Sequence, residues 1–393
     1  MLRLIHTADV HLGARHADLG EEASAQRERQ FAAFRASVDL AIAEKVDVFL
    51  IAGDLFDSNT QPKRSVDRVA SELKRLVDAR IRTAIIPGTH DVYDRASIYR
   101  VHDMKALAGS TPDDDFVTVL TPDLPRVHLA TCDVTVHGPV FATKRAPHSP
   151  LLDVHVQRDG PDGAGYQVAM IHGALAIPGR TDGDEVVVTR DEIAASNLDY
   201  LALGHWHSFQ QGTAGSTTWA YSGAPEPVAI SQDGAGNVAL VTLDRTTTGT
   251  SVTVEPRTVG RTRFEHIDVD AAAIVSQPAL AAAIAATADP DLVLDVRLTG
   301  VRPDALDIHP DEIEEQLKGS FLRVRVRDAS VPALTEGTLP SADTIPGAFI
   351  RDVESRIAAL ETDASPDAMA EAGELRDVLR LGRLLLAGHE VTL

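Results

Sequence analysis

The sequence predicts an α/β sandwich of about 260 residues, followed by a small α+β unit and C-terminal helices. Three observations carry this. Residues 1–110 alternate short apolar runs with amphipathic stretches: 2–7, 46–52 and 83–86 read as strands, 24–44 and 62–79 as helices. Seven more strand-like runs follow at 127–129, 133–137, 167–171, 200–203, 218–221, 238–243 and 251–259, with few helical patterns between them. That half is expected to be strand-rich and partly antiparallel. Near Arg261 the texture changes: strands are expected at 264–269, 292–298 and 321–327, with helices at 278–288 and 310–318.

The stretch SVPALTEGTLPSADTIPG, rich in Pro, Thr, Ser and Gly, reads as a linker, and apolar residues at helical spacing return at 348–360 and in the last apolar stretch. The expected domains are therefore 1–262, 263–330, a linker at 331–347, and helices over 348–393. A chain of 393 residues is long for one core, which agrees with this division.

Composition narrows the function. Hydrophobic residues make up 44% and charged residues 24%, the balance of a globular chain rather than a disordered one. No apolar run reaches the roughly 18 residues that span a bilayer, so no membrane partner is expected. The opening MLRLIHTADVHLG lacks the long apolar stretch of a signal peptide. Cys132 is the only cysteine, which excludes an intramolecular disulfide and favours a reducing compartment, the cytoplasm. The net charge of −21 argues against a surface that grips nucleic acid everywhere, and leaves room for a local arginine-lined groove or a basic partner.

The informative feature is the placement of histidine and aspartate. Five blocks, LRLIHTADVH, VFLIAGDLFD, TAIIPGTHD, VAMIHG and YLALGHWH, put them directly after apolar strand-like runs. In open α/β sheets, ligand groups gather in the loops beyond the carboxyl ends of strands, where a rigid strand fixes the loop. Asp and His together supply the hard oxygen and borderline nitrogen donors that suit manganese, iron or zinc. One carboxylate bridging two ions about 4 Å apart would give a bimetallic hydrolytic centre. Gly53, Gly88, Gly173 and Gly204 beside the blocks allow sharp turns and leave space for a phosphate.

These motifs, D-x-H at 9–11, G-D-x-x-D at 53–57, a G-N-H-D-like block at 88–91, H-G at 172–173 and G-H-x-H at 204–207, resemble the signature of the calcineurin-like metallophosphoesterases. ADVHLG, AGDLFD and LGHWH look most like the SbcD-type DNA-repair exonucleases, relatives of the eukaryotic double-strand-break nuclease. The resemblance implies a four-layer α/β sandwich, two divalent metal ions (manganese above all), DNA as substrate, an SbcC-like SMC-type ATPase as partner, and a homodimer. It implies that the FLRVRVRD unit is a DNA-capping domain and the terminal helix an ATPase-docking segment. By motif, Asp9, His11 and His207 would hold the first metal, Asp54 would bridge, and His172 and His205 would hold the second, completed by Thr89. His90 would stabilise the transition state or protonate the leaving oxygen. Asp91 would orient His90, and Asp57 would be a loop or supporting group.

Thr89 departs from the family's usual Asn, a shorter arm and a weaker neutral donor, which would loosen the second metal. Bland roles fit the remaining groups. His137 ends an apolar run outside any motif and reads as structural, His6 as a satisfied core or edge residue, and 113–115 as a solvated loop. Trp206 could stack on a base or fill space. Two alternatives to the nuclease stand beside it: a phosphodiesterase acting on a small nucleotide-type substrate, favoured by the acidic charge, and a weakly active scaffold, motivated by Thr89 and the terminal helices.

Overall fold

The computed structural model describes residues 1–111, 113–156, 165–181, 183, 185–229, 232, 234–247, 249–303, 306–332, 340–362 and 365–386. Part of the expected linker, 333–339, and the end of the expected C-terminal helices, 387–393, lie outside the described residues. The chain divides into two compact units, Met1–Phe264 with Asp291–Val293, and Glu265–Pro290 with Leu294–Leu393.

In the first unit the strands are β1 (Leu2–Thr7), β2 (Val48–Ala52), β3 (Arg82–Ile86), β4 (Val117–Val119), β5 (Arg126–Leu129), β6 (Val134–His137) and β7 (Tyr166–His172). Then follow β8 (Ala174–Leu175), β9 (Val187–Val188), β10 (Tyr200–Gly204), β11 (Gln210–Ala214), β12 (Thr217–Tyr221), β13 (Asn237–Thr246) and β14 (Gly249–Thr258). Twelve of them build two six-stranded sheets, ordered β14-β13-β1-β2-β3-β4 and β11-β12-β10-β7-β6-β5, and β8 pairs with β9. Strands β1 to β4 run parallel, as do β6, β7, β10 and β12. Antiparallel pairing is confined to β13 and β14 in the first sheet and to β5 and β11 in the second.

The period of two along each strand sorts side chains into separate cores. Leu4, Leu50, Ala84, Met170 and Ala202 fill the space between the sheets. The alternate residues Ile5, Phe49, Ile51 and Ile85 face α1 (Ala23–Ala43) and α2 (Lys63–Asp78). Helix α2 buries Val66, Val69, Leu73 and Leu76, the spacing of one helical face. On the second sheet Ala169, Ile171, Leu201 and Leu203 pack under Leu151 and Ile193. The result is helix, sheet, sheet, helix, a mixed α/β sandwich of four layers.

Several elements escape the sequence pattern. The helices α3 (Ile98–Val101), α4 (Met104–Leu107) and α5 (Arg190–Ser196) are too short to show a period, and β4 has only three residues. Helix α5 owes its start to a capping box, in which Thr189 accepts from the Glu192 N–H while the Glu192 carboxylate accepts from the Thr189 N–H. A three-stranded sheet, Arg263–Asp270, Leu292–Thr299 and Arg323–Asp328, falls mostly in the second unit. Its helices are α6 (Gln277–Ala285), α7 (Pro310–Gln316), α8 (Ile345–Leu360) and α9 (Pro366–Leu386), of which α8 and α9 pack on each other.

The groups outside the motifs have ordinary partners. His137 bonds Gln167 at 2.9 Å, Asp115 pairs with Arg82, and Asp114 accepts from the Thr111 and Phe116 N–H groups. Trp206 stacks on Tyr221, with ring centroids 4.8 Å apart. His6 lies fully buried in the sandwich, its Nδ1 2.8 Å from the Tyr200 hydroxyl. Burial lowers its pKa from 6.5 to about 3. The folded value is depressed, so the stability contributed by neutral His6 is complete above about pH 6.5 and drains away as pH falls toward 3. Between pH 7 and 5 this amounts to about 2 kcal/mol. Urea unfolding of wild type and His6→Gln at both pH values is expected to show a pH slope smaller by that amount in the variant; parallel slopes would refute it.

Candidate metal centre

Each proposed site residue sits at or just beyond the carboxyl end of a strand. Asp9 and His11 follow β1, Asp54 and Asp57 follow β2, Thr89 and His90 follow β3, His172 closes β7, and His205 and His207 follow β10. Backbone bonds lace these loops together beyond the sheets. The Asp9 N–H donates to the Gly53 carbonyl (3.1 Å), the His11 N–H to that of Asp54 (3.0 Å), and the Gly173 N–H to that of Gly204 (3.1 Å). Asp9, His11 and Asp54 have φ of 54°, 49° and 51°, and His205 has φ of 102°. Such conformations cost about 1–3 kcal/mol each in non-glycine residues and persist where surrounding structure over-determines them. The lacing supplies that constraint.

Two buried carboxylates organise the donors. Asp54 Oδ2 lies 3.1 Å from His172 Nε2 and 3.7 Å from His11 Nε2. Asp54 Oδ1 accepts from the His90 N–H at 2.7 Å. Asp9 Oδ1 lies 3.8 Å from His207 Nε2 and 4.0 Å from His172 Nε2, and both Asp9 oxygens accept from the His205 N–H at 3.0 Å. Among the described residues, three sets thus bring ligand atoms within 4.8 Å of one another: Asp9, His11 and His207; Asp9, Asp54 and His172; and His11, Asp57 and His90. A Cβ on Gly88 would stand 2.2 Å from Asp54 Oδ1, so only glycine lets that carboxylate into the centre.

The donor set fits divalent cations. His172 Nδ1 faces the Ala52 carbonyl at 3.0 Å, which places the ring proton there and the lone pair on Nε2. His11 Nδ1 faces Asp57 at 3.2 Å, with the same consequence. Both Nε2 atoms are buried without a hydrogen-bond partner. Lone pairs held against carboxylates in a water-poor centre repel unless positive charge lies between them. A proton is the simplest such charge, and the pKa values show how strongly the carboxylates call for it. Burial opposes charge on His172, yet the Asp54 and Asp9 carboxylates push it up to about 10. Burial likewise opposes the ionised form of Asp54, but the facing His172 and His11 hold it well below the usual carboxylate range. A cation of higher charge satisfies these groups better than a proton does.

The other predicted residues fall as follows. His205 meets the centre through its N–H, and its ring packs edge-on to that of His172, with centroids 5.6 Å apart. Thr89 is buried and lines a narrow cleft with Gly88, His172, Phe141 and Lys144. His90 is the exposed member, with 43% of its side chain accessible, and its Nδ1 lies 3.1 Å from the Asp57 carbonyl. The expectation that Asp91 orients the His90 ring is corrected by its hydrogen bonds. Both Asp91 oxygens are turned inward, accepting from the Gly88 N–H (2.7 Å), the Phe56 N–H (3.2 Å) and the Tyr99 hydroxyl (2.6 Å). Asp57 stands beside the His90 ring instead, and the G-D-x-x-D spacing was the signal for it.

Gln232 went unmarked, and no motif flags it. Its Oε1 accepts from the Val228 and Ala229 N–H groups, which turns its amide nitrogen toward His207 Nδ1.

Two facing sheets whose strand ends gather imidazoles around two carboxylates define a metallohydrolase centre of the phosphoesterase class. The chain belongs to the calcineurin-like phosphoesterase family, whose model matches residues 2–209. It is similar to the DNA double-strand break repair protein Mre11 of Aeropyrum pernix, 28% identical over 236 residues, 59% of this chain and 55% of the relative. The uncharacterized metallophosphoesterase YhaO of Bacillus subtilis is 26% identical over 250 residues, 61% of this chain and 57% of that protein. Mre11 of Halobacterium salinarum is 25% identical over 317 residues, 80% of this chain and 74% of the relative. The chain thus spans little more than half the length of the first two relatives.

Proposed function

We propose that this protein is a two-metal phosphodiesterase that cleaves DNA in repair, acting as a homodimer with an SbcC-like ATPase. The observation that carries the hydrolytic part is the pair of buried imidazole nitrogens of His11 and His172 facing Asp54 without hydrogen-bond partners. The relatives named as double-strand break repair proteins support DNA as substrate. Asp9, His11 and His207 would hold one divalent ion, His172, His205 and Thr89 the other, and Asp54 both, with manganese favoured by the N/O donors. Such ions supply charge stabilisation for phosphoryl oxygens and a water nucleophile at neutral pH.

The chain's own groups do the rest. The His90 N–H donates to Asp54 Oδ1 and its Nδ1 to the Asp57 carbonyl, so Nε2 is the ring atom that would meet the substrate. In its doubly protonated form the ring would pass the Nε2 proton to the leaving oxygen and return to the neutral Nδ1–H tautomer. The arginine-bearing strand Arg323–Asp328 of the second unit is proposed as part of a DNA cap, and α8 and α9 as the ATPase-docking segment. With manganese, wild type is expected to degrade linear duplex DNA, and His90→Ala to lose at least about 100-fold in rate. Absent cleavage by wild type, or full cleavage by the variant, counts against the proposal. The net charge of −21 favours a second reading, a small nucleotide-type diester as substrate. Turnover on cyclic nucleotides exceeding that on DNA would select it.

A further inference from the structure

Resting on that phosphodiesterase reading, we infer that Tyr99 and Asp91 form a strut that positions His90, with Tyr99 a positioning residue for the catalytic histidine. Asp91 is fully buried, an unusual place for a carboxylate that touches neither a cation nor the imidazole next to it in sequence. Its Oδ1 closes the turn Gly88-Thr89-His90-Asp91 by accepting from the Gly88 N–H at 2.7 Å. The other oxygen accepts from the Phe56 N–H at 3.2 Å and from the Tyr99 hydroxyl at 2.6 Å. Phe56 lies between Asp54 and Asp57 in the neighbouring loop, so one carboxylate ties the loop that bears His90 to the loop that bears both of its partners.

The consequence for His90 is geometric. Its N–H must reach Asp54 Oδ1, at 2.7 Å, and its Nδ1 the Asp57 carbonyl, at 3.1 Å. Both contacts cross between the two loops that Asp91 joins. Tyr99 restrains the strut from outside the turn: its ring packs near that of Phe56, with centroids 6.3 Å apart, while its hydroxyl holds Asp91 Oδ2 in place. Tyr99 also lines a cavity with Tyr93, Met104 and Val117. A charged acceptor bonded by a short hydroxyl is among the stronger hydrogen bonds a protein makes. Buried apolar packing of a phenylalanine would keep the fold and lose only that restraint.

Tyr99→Phe is the test, read in two ways. In metal-free protein, amide hydrogen exchange at Gly88 and His90 is expected to accelerate at least tenfold while exchange in β2 and β3 stays unchanged. With manganese and bis-p-nitrophenyl phosphate, kcat is expected to fall at least fivefold at constant KM. In a His90→Ala background the same substitution is expected to cost nothing further, because a positioning role vanishes with the group it positions. Unchanged exchange at the turn overturns the strut whatever the activity. So does equal loss in both backgrounds, which marks a general packing role. An inactive wild type would sink the phosphodiesterase reading, while the exchange arm would still decide the strut.

Discussion

Asp54→Asn is expected to lower kcat/KM on a phosphodiester by at least about 1,000-fold, about 4 kcal/mol of lost transition-state stabilisation. The reason lies in what this carboxylate faces. One oxygen confronts the unpartnered Nε2 atoms of both His172 and His11, and the other takes the His90 N–H. An amide keeps a carbonyl for one contact and turns a neutral, partly positive NH2 toward the other. It therefore removes the negative charge that two cations would share. Metal counts on the dialysed protein are expected to fall from two ions per chain to one or none. Melting of the metal-free variant at neutral pH is expected to fall, since the amide withdraws the negative charge that faces the buried His172 and His11 rings. A variant that keeps two ions and near-normal turnover would remove Asp54 from the centre.

Gly204→Ala carries the second large effect, through sterics alone. A Cβ there would lie 2.1 Å from the Ala52 carbonyl oxygen, 2.7 Å from His172 Nδ1 and 3.0 Å from the Ala8 Cβ. Ala52 ends β2 in one sheet and Gly204 ends β10 in the other, so the two sheets come close together here. The nearest obstacle is backbone, which cannot rotate away. Separating the strands to admit a methyl costs about 3 kcal/mol, a melting temperature lower by about 6 °C for a unit of this size. The same wedge breaks the His172–Ala52 hydrogen bond and with it the ring orientation, so manganese affinity is expected to fall at least tenfold. Calorimetric melting and manganese titration on one preparation test both halves. Wild-type values in each would show that the strand ends are not held this closely.

The candidate site was largely legible in the sequence because its chemistry is local. D-x-H, G-D-x-x-D, H-G and G-H-x-H each place a donor one or a few residues past an apolar run, and the strand ends were read closely enough to locate those loops. Long helices such as α1 and α2 were legible for a similar reason, since several turns of amphipathic spacing identify themselves. Helix α5 and strand β4 were not, being shorter than the window in which a period can be recognised.

The partners of each donor were a different matter. Adjacency suggested that Asp91 would serve His90, but in a tight turn the side chain of Asp91 folds back to the Gly88 N–H and inward to Tyr99. Asp57, distant in sequence, takes the position beside the ring. The amino-acid order by itself determined which residues carry metal-binding chemistry and which strands present them, because side-chain type and periodicity are properties of short segments. Only the tertiary structure decided that Asp9 and Asp54 stand among imidazoles from both sheets, that Gln232 faces His207, and that His6 meets Tyr200 across the sandwich. Those pairings depend on how two sheets face one another, and the energies that set that arrangement are summed over three separate apolar cores rather than written in any one motif.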